Sequence, residues 1–482
     1  MENNFKKTNE KLFTLSEARR ELGIPLVLAK KLVIWGEMEA QRGLDGTIRI
    51  TEAELNIAKK LLDSPKKKAV YFFKALGPGL ITGASDDDPS GIGTYSSVGA
   101  KFGFAIIWMA AWLLPVMLAV QEACARIGIV TNRGLAGVLT RHYRKKIVIV
   151  IVFLLVVANV INIGADIGAM AASLTMLTHL NYYLAAILFA AVTIILEVFI
   201  GYHIYVKFLK WLSFSVLAYV VAGMVIHPEW LNVFRYAFVP KIYFNAEYVF
   251  AMIAVFGTTI TPYLFFWQAS EEVEENDLKK NSGFFKKYSV HSRIRAMRTD
   301  VGTGMVLANV VFFFIVLTTA QVLFKNGITE INSAEQAAQA LRPFAGDYAY
   351  FLFALGIIGT GMLAIPVLAG SGAYAIAEMF KWKEGLELKF SQAKGFYLVI
   401  IFSVLVGLSL NFFGINPIKA LYYSAYLNGI IAIPLLIAIM IVGNDKKIMG
   451  QETHPAWVII FGWLSVVFMS LAVVASIIIK II

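Results

Sequence analysis

Long apolar runs separated by short polar segments make up the chain from Tyr71 to Ile482. Such runs reach the roughly 20 residues that an α-helix needs to cross a bilayer. They predict an all-α polytopic membrane domain over residues 69–482. Its eleven transmembrane helices are expected at 74–98, 104–127, 147–176, 182–202, 205–226, 248–270, 301–324, 349–379, 395–413, 418–443 and 456–480.

The first and the sixth of these helices are interrupted near their middles. Residues 77–96 read GPGLITGASDDDPSGIGTYS and residues 257–270 read GTTITPYLFFWQAS. Because lipid offers an unwound backbone no hydrogen-bond partner, such a break is tolerated only where it lines a protein-enclosed site. The two breaks lie five helices apart. This spacing predicts a LeuT-like fold of two inverted five-helix repeats plus one extra helix, with a binding site between the breaks.

Residues 1–68 are polar and predict a separate, helical cytosolic module. A capped helix from Leu15, a turn at Gly23 and a second helix through Val33 precede a hairpin over residues 43–54. The arrangement loosely resembles the winged helix-turn-helix modules of excisionase-like proteins. Charges of both signs favour a regulatory or interaction role over DNA binding, and an amphipathic domain that packs under the membrane part is the structural alternative.

Composition and charge agree with a membrane protein. The 482 residues are 58% hydrophobic, with a mean hydropathy of +0.69 and a net charge of +11. Lysine and arginine cluster in alternate loops, at 133–146, 207–210, 279–298 and 381–394. Positive residues of short loops stay cytoplasmic, so we expect a plasma (inner) membrane protein with its N-terminus inside and its C-terminus outside. This charge therefore gives no reason to expect nucleic acid as a partner.

Three consecutive carboxylates, Asp86, Asp87 and Asp88, lie in the first break, just before Pro89. Each charge at membrane depth costs at least about 3 kcal/mol unless it is paired or hydrated. The cluster therefore favours a bound cation. The alternative is a solvated helix end, against which the apolar sequence after Gly91 argues.

Four segments of the chain resemble the NRAMP family of divalent-metal transporters. They are GPGLITGASDDDPSG of the first helix, QEACARIGIVT of the second, GTTITPYLFFWQAS of the sixth and NPIKAL of the tenth. The resemblance covers about residues 70 to 480. It implies a secondary transporter that works by alternating access, with a divalent cation as substrate, the lipid bilayer as surroundings, no cofactor beyond the transported ion and no enzymatic activity.

The family's metal ligands are only partly kept. The resemblance implies that Asp88 is the metal-binding carboxylate and that Ser85 contributes its backbone carbonyl. The family's asparagine ligand is Gly91 here, its methionine is Thr261, and the alanine that offers a carbonyl is Thr258. Because thioether sulfur favours softer transition metals and oxygen favours Mg²⁺ and Mn²⁺, soft selectivity is expected to be lost.

These replacements leave an oxygen-only site with more room for water on the ion. Mg²⁺ prefers octahedral oxygen coordination and keeps several waters. The sequence thus resembles the NRAMP-related magnesium transporter branch, with hydrated Mg²⁺ as the expected substrate and Mn²⁺ second. Further candidate contacts are Asp87 and Gln121, with an interhelical hydrogen bond as the alternative role of Gln121. Asp86, Tyr263 and Gln268 are expected farther out, around the ion or along its pathway, and Asp86 is also a candidate for direct or water-mediated contact with the ion. The tenth-helix glutamine ligand is Ala425, for which Asn428 is a partial substitute.

Proton coupling is expected to be weak or absent. The acidic and histidine residues to which the family's coupling is attributed correspond to Asn159, Ala169, Tyr263 and Gln268, and none of these titrates near neutral pH. Asp166 is the acid that remains in the third helix. It is a candidate proton relay, and an interhelical hydrogen bond is the alternative role.

Several other readings remain open. A proton-coupled Mn²⁺ or Fe²⁺ importer is the first alternative, and a trivalent-ion carrier and an organic-solute transporter are more remote. A membrane-anchored ion sensor that signals through residues 1–68 differs in kind. The acidic run 271–275 is expected to be a solvated helix end, with attraction of cations as the alternative. No nucleotide-binding loop or nucleophile with a base is found, so neither a pump nor an enzyme is expected.

Overall fold

The computed structural model describes residues 11–34, 37–42, 48–68, 71, 78–200, 214–281 and 290–481, most of which are helical. Residues 11–68 and the membrane part have separate apolar cores. The tip of the predicted hairpin, residues 43–47, lies outside the described residues.

The N-terminal module combines three helices with a small antiparallel sheet. Its elements are β1 (Leu12–Thr14), α1 (Leu15–Leu22), α2 (Leu26–Ile34), β2 (Gln41–Arg42), β3 (Ile48–Thr51) and α3 (Glu52–Leu61), and the strand order is β1-β3-β2. Thr14 and Glu17 form a capping box that starts α1, and Gly23 ends it in the left-handed region, at φ 61°. These local signals set the angle between α1 and α2.

The module contacts the membrane part through two lysines of α2. Lys31 Nζ lies 3.1 Å from Glu275 Oε1, and Lys30 Nζ donates to the carbonyl of Ser292 at 3.0 Å. Glu275 and Ser292 lie on either side of residues 282–289, which are outside the described residues. The module is thus docked where the sixth helix ends and the seventh begins.

The membrane part is a bundle of long helices. They are α4 (Pro78–Asp86), α5 (Pro89–Phe102), α6 (Trp108–Thr131), α7 (Leu135–His142), α8 (Lys145–Thr178), α9 (Tyr182–Phe199), α10 (Ala218–Val225), α11 (Trp230–Phe238), α12 (Ala246–Thr259), α13 (Pro262–Asn281), α14 (Val290–Val322), α15 (Ala349–Phe380), α16 (Lys394–Leu410), α17 (Pro417–Asn444) and α18 (Ala456–Ile481). Shorter helical turns lie at Ala334–Ala338, Arg342–Ala345 and Lys446–Met449.

Nine helical stretches of the described residues are long and apolar enough to cross a membrane, with α12 and most of α13 counted as one. A tenth is added if 215–225 and 230–238, bent by 119°, form one span. The predicted first span is present as the half-helices α4 and α5, of 9 and 14 residues. Of the predicted fifth span, residues 205–213 lie outside the described residues.

The first half-helix, α4, is fixed against α14 by glycines and one carboxylate. A Cβ atom on Gly304 would lie 2.0 Å from the carbonyl oxygen of Gly79, and one on Gly83 would lie 2.3 Å from that of Gly304. Such small residues let membrane helices approach backbone to backbone. Asp300 accepts from the N–H groups of Gly79 at 2.8 Å and Leu80 at 3.2 Å, which satisfies two of the unpaired donors at the start of α4.

The sixth helix is held in a similar way. A Cβ atom on Gly257 would lie 2.0 Å from the carbonyl oxygen of Ala425, and one on Gly429 would lie 2.6 Å from that of Ile253. Thus α12 and α17 touch through their backbones. Both broken helices therefore have one half whose position is set by close packing.

We predict that Gly304→Ala destabilises the protein. The new methyl group forces α4 and α14 apart, and overpacking of this kind costs about 1–3 kcal/mol. The thermal unfolding midpoint in detergent is expected to fall. Gly302→Ala is the matched control, because it lies in the same helix and its Cβ would meet nothing within 4 Å. Equal midpoints for the two variants would contradict the predicted effect.

Candidate functional site

Two prolines explain both helix breaks. In an α-helix the carbonyl of residue i accepts from the N–H of residue i+4, and proline has no N–H. Pro89 therefore deprives Ser85 of its helical donor, and Pro262 does the same to Thr258. Helix α4 ends at Asp86 before α5 begins at Pro89, and α12 ends at Thr259 before α13 begins at Pro262. The breaks thus free the carbonyls of Ser85 and Thr258, the two positions at which the resemblance implied a carbonyl ligand.

Asp88 lies in the first break and joins three parts of the bundle. Its Oδ1 accepts from the N–H of Gly91 at 2.7 Å, which caps the start of α5. Its Oδ2 is 3.2 Å from Nδ2 of Asn162 in α8 and 3.2 Å from the hydroxyl of Tyr263 in α13. The residue is only 2% exposed. The groups that contact the carboxylate are therefore neutral.

The hydroxyl of Tyr263 bridges the two halves of the site. It donates to the carbonyl of Ser85 at 2.7 Å in addition to its contact with Asp88. The structure thus brings together Ser85 and Asp88, which were expected as ligands, and Tyr263, which was expected farther out. All three side chains are buried.

Gly91 and Thr258 lie where the two breaks approach each other. The Thr258 hydroxyl lies 3.1 Å from that of Ser90, the neighbour of Gly91. A Cβ atom on Gly91 would lie 3.6 Å from Thr258 Oγ1 and 3.0 Å from the carbonyl oxygen of Asp86. A Cβ atom at position 91 would thus be in ordinary contact with Thr258, and it would crowd the Asp86 carbonyl oxygen within the first break.

Thr261 and Gln121 are buried polar residues with spare hydrogen-bonding capacity. Thr261 Oγ1 and Gln121 Oε1 have no hydrogen-bond partner among the described residues. Gln268 differs, since its Oε1 accepts from Thr82 at 2.6 Å and its Nε2 donates to Glu272 at 3.1 Å. Asn428 is buried in α17, one turn beyond Ala425.

The three consecutive aspartates do not form a carboxylate cage. Both side-chain oxygens of Asp86 and the Oδ1 of Asp87 are buried without a hydrogen bond to any part of the chain that the structure describes. Both oxygens of Asp166 in α8 are in the same situation. Within the described ranges, no three His, Cys, Asp or Glu side chains are grouped so that they could hold a metal ion. Any cation between the breaks would therefore need carbonyl and hydroxyl oxygens besides Asp88.

Asn162 is a site residue that the sequence reasoning missed. Its Nδ2 contacts Asp88, and its Oδ1 accepts from the hydroxyl of Ser424 in α17 at 2.9 Å. Asn159, Asn162 and Asp166 are spaced three and four residues apart, so they share one face of α8. This polar stripe in an apolar helix was the signal that could have identified Asn162.

The acidic run after the sixth helix is not a solvated helix end, contrary to the expectation. Glu271 and Glu272 are only 5% and 6% exposed, and α13 does not end there but continues to Asn281. The hydroxyl of Tyr374 donates to Glu274. Nearby lies a cavity of about 530 Å³ whose charged lining residues are Arg133, Glu274, Glu378, Lys381, Glu384 and Glu387. Burial, with the charges of Glu378 and Glu274, raises the pKa of Glu384 to about 9.

Comparison with known proteins agrees with this architecture. The chain is 24% identical over 406 residues to the divalent metal cation transporter MntH of Klebsiella pneumoniae (strain 342), covering 81% of this chain and 90% of that protein. It is 23% identical over 403 residues to the divalent metal cation transporter MntH of Caldanaerobacter subterraneus subsp. tengcongensis, covering 80% and 90%.

The structure is also similar to solved structures. It matches the manganese transporter of Eremococcus coleocola in complex with an aromatic bis-isothiourea substituted compound, with a TM-score of 0.65 at 17% identity. The match covers 83% of this chain and 86% of that one. The predicted all-α polytopic membrane fold is thereby confirmed.

A sequence model of one family spans most of the membrane part. This model, described as natural resistance-associated macrophage protein-like, matches residues 79–479. The chain therefore belongs to the Nramp family.

Proposed function

We propose that this chain carries divalent cations across the membrane by alternating access around Asp88, with hydrated Mg²⁺ as its main substrate and Mn²⁺ as its second. The relatives named above are described as divalent metal cation transporters, and the similar structure is that of a manganese transporter. The proposal places the chain in the plasma (inner) membrane, with its N-terminus in the cytoplasm.

The chemistry of the two breaks carries the choice of ion. Asp88 offers a carboxylate, Ser85 and Thr258 offer carbonyls freed by prolines, and Thr261 offers an unpaired hydroxyl. Neither residues 85–91 nor 258–263 include methionine, cysteine or histidine. Oxygen atoms of this kind suit Mg²⁺ and Mn²⁺, and Mg²⁺ retains waters while one or two carboxylates anchor it.

Burial of the site supports alternating access. Asp88, Ser85, Thr258 and Thr261 are each at most 2% exposed, so this conformation is closed on both sides. An ion enters or leaves only when a half-helix moves. Because α4 is fixed to α14 and α12 to α17 by close backbone contacts, each of these two half-helices must move with its partner helix unless that contact breaks.

We predict that Asp88→Asn lowers Mg²⁺ uptake into proteoliposomes at least tenfold. The substitution keeps the shape of the side chain and removes a charge that contacts both broken helices, and Mg²⁺ is usually anchored by one or two carboxylates. Uptake is measured with a Mg²⁺-sensitive dye inside the vesicles, after size-exclusion chromatography has shown the variant to be folded. Undiminished uptake by the folded variant would rule out Asp88 as the anchor.

We also predict that Mg²⁺ uptake proceeds without acidification of the vesicle interior. The two side chains that lie against Asp88 Oδ2 carry an amide and a phenol, and neither group changes charge near neutral pH. Asp166→Asn is therefore expected to change Mg²⁺ uptake less than threefold, and it is the matched neutralisation for Asp88→Asn. A pH-sensitive dye reports the coupling. Mn²⁺ uptake with acidification that Asp166→Asn abolishes would instead establish the proton-coupled importer.

A second candidate function is an ion sensor that signals through residues 1–68. The observation that favours it is the docking of α2 on both ends of the segment after the sixth helix, through Lys31 with Glu275 and Lys30 with Ser292. The same contact is expected in a transporter whose module regulates it. The two functions are distinguished by measuring Mg²⁺ flux with and without the module.

We predict that removal of residues 1–65 leaves Mg²⁺ flux within about threefold of the full-length value, because the site around Asp88 lies outside this segment.

Lys31→Glu is expected to loosen the module, because it places a second negative charge beside Glu275. Faster proteolysis of residues 1–68 in intact protein checks this. Lys59→Glu is its control, since Lys59 pairs with Glu21 inside the module at 3.5 Å. Complete loss of flux in the truncated protein would contradict a merely regulatory role.

A further inference from the structure

We propose that Tyr263 selects cations by the water that they retain, its hydroxyl oxygen accepting a hydrogen bond from a water bound to the ion. This inference rests on the proposed function, since it concerns which divalent cation the site around Asp88 prefers. Tyr263 then acts on specificity without being an inner ligand of the metal.

Tyr263 has one proton for two neighbouring acceptors. Its hydroxyl lies 2.7 Å from the Ser85 carbonyl oxygen and 3.2 Å from Asp88 Oδ2, and both of those atoms only accept. A phenol has one proton to donate and lone pairs with which to accept. The shorter contact places the proton toward Ser85. The phenol oxygen then faces the carboxylate oxygen with acceptor capacity to spare.

The Tyr263 oxygen and Asp88 Oδ2 are two neighbouring acceptors, and a group with two donor protons can satisfy both. A water bound to a divalent cation has both of its protons available and its lone pair on the metal. Such a water donates to Asp88 Oδ2 and to the Tyr263 oxygen at the same time. A cation that has lost this water gains nothing from the phenol. The arrangement therefore favours an ion that holds its water tightly, as Mg²⁺ does.

Asn162 provides an internal comparison, because it contacts the same carboxylate oxygen at the same 3.2 Å distance. Its amide group donates to Asp88, while its Oδ1 is already engaged by Ser424. Asn162 thus positions the carboxylate of Asp88, and its own acceptor oxygen is directed to Ser424 and not to the ion. Its removal should weaken the binding of every cation alike, whereas removal of the Tyr263 hydroxyl should weaken only that of hydrated ones.

A purely structural role for Tyr263 makes a different prediction. The hydroxyl satisfies a carbonyl that Pro89 has freed, so its loss leaves a buried acceptor unpaired and lowers stability. A stability effect of this kind changes the amount of folded protein. It does not change the ratio of KM values for two ions in the protein that remains folded.

The experiment compares Tyr263→Phe, Asn162→Leu and Tyr219→Phe in proteoliposomes. We expect Tyr263→Phe to raise KM for Mg²⁺ about five- to tenfold, the size expected for the loss of one hydrogen bond, and KM for Mn²⁺ less than threefold. Asn162→Leu should raise both alike. Tyr219→Phe removes a phenol hydroxyl that is equally buried in α10, and it should leave both values unchanged.

Inhibition of the wild-type chain is measured as well, because that result does not depend on whether the variants fold. Hexaamminecobalt(III) carries donor N–H groups in place of water and does not exchange its ligands, so the inferred contact requires it to inhibit Mg²⁺ uptake competitively. Equal KM shifts for both ions in Tyr263→Phe, or no inhibition of the wild type, would overturn the role of Tyr263. If the wild type carries neither ion, the proposed function itself has failed.

Discussion

The requirement that every backbone carbonyl in a membrane finds a partner governs the centre of this protein. Pro89 and Pro262 each remove one helical donor, and the carbonyls of Ser85 and Thr258 are left to be satisfied by something other than the helix. Lipid cannot do so. The residues that surround the two breaks are therefore selected for hydrogen-bonding capacity and small size, and the concentration of polar atoms at mid-bundle follows from two prolines.

The partners of Asp88 show how a buried charge is kept without a counter-charge beside it. The N–H of Gly91 and the amide of Asn162 donate to its carboxylate from two different helices, and the phenol of Tyr263 is a third neutral neighbour. Neutral donors stabilise the carboxylate and leave its negative charge available to an ion. An arginine or lysine at the same distance would have cancelled that charge, and the site would have had little affinity for cations.

The sequence was sufficient to predict the breaks, the overall fold and the central position of Asp88, because proline, glycine and hydropathy act locally. Asp86 and Asp87 could not be interpreted in the same way, since neighbouring side chains on a helix point in different directions and only packing decides where each ends. The burial of Glu271 and Glu272 likewise depends on elements distant in sequence, such as Tyr374. The position of Asn162 on the same helix face as Asp166 could be predicted from the sequence. Its contact with Asp88, which lies in another helix, could not.

Helix α13 is continuous from Pro262 to Asn281, and three features of the protein lie along it. Tyr263 contacts Asp88 at the start of the helix. Glu274 lines the cavity of about 530 Å³, and Glu275 pairs with Lys31 of the module. Tyr263 and Glu275 are 12 residues apart, which is about 18 Å of helix. A helix of this length is a stiff rod, so a tilt at the ion site displaces its far end in proportion. A rigid tilt of α13 would therefore move the contact with Asp88 and the salt bridge with Lys31 together.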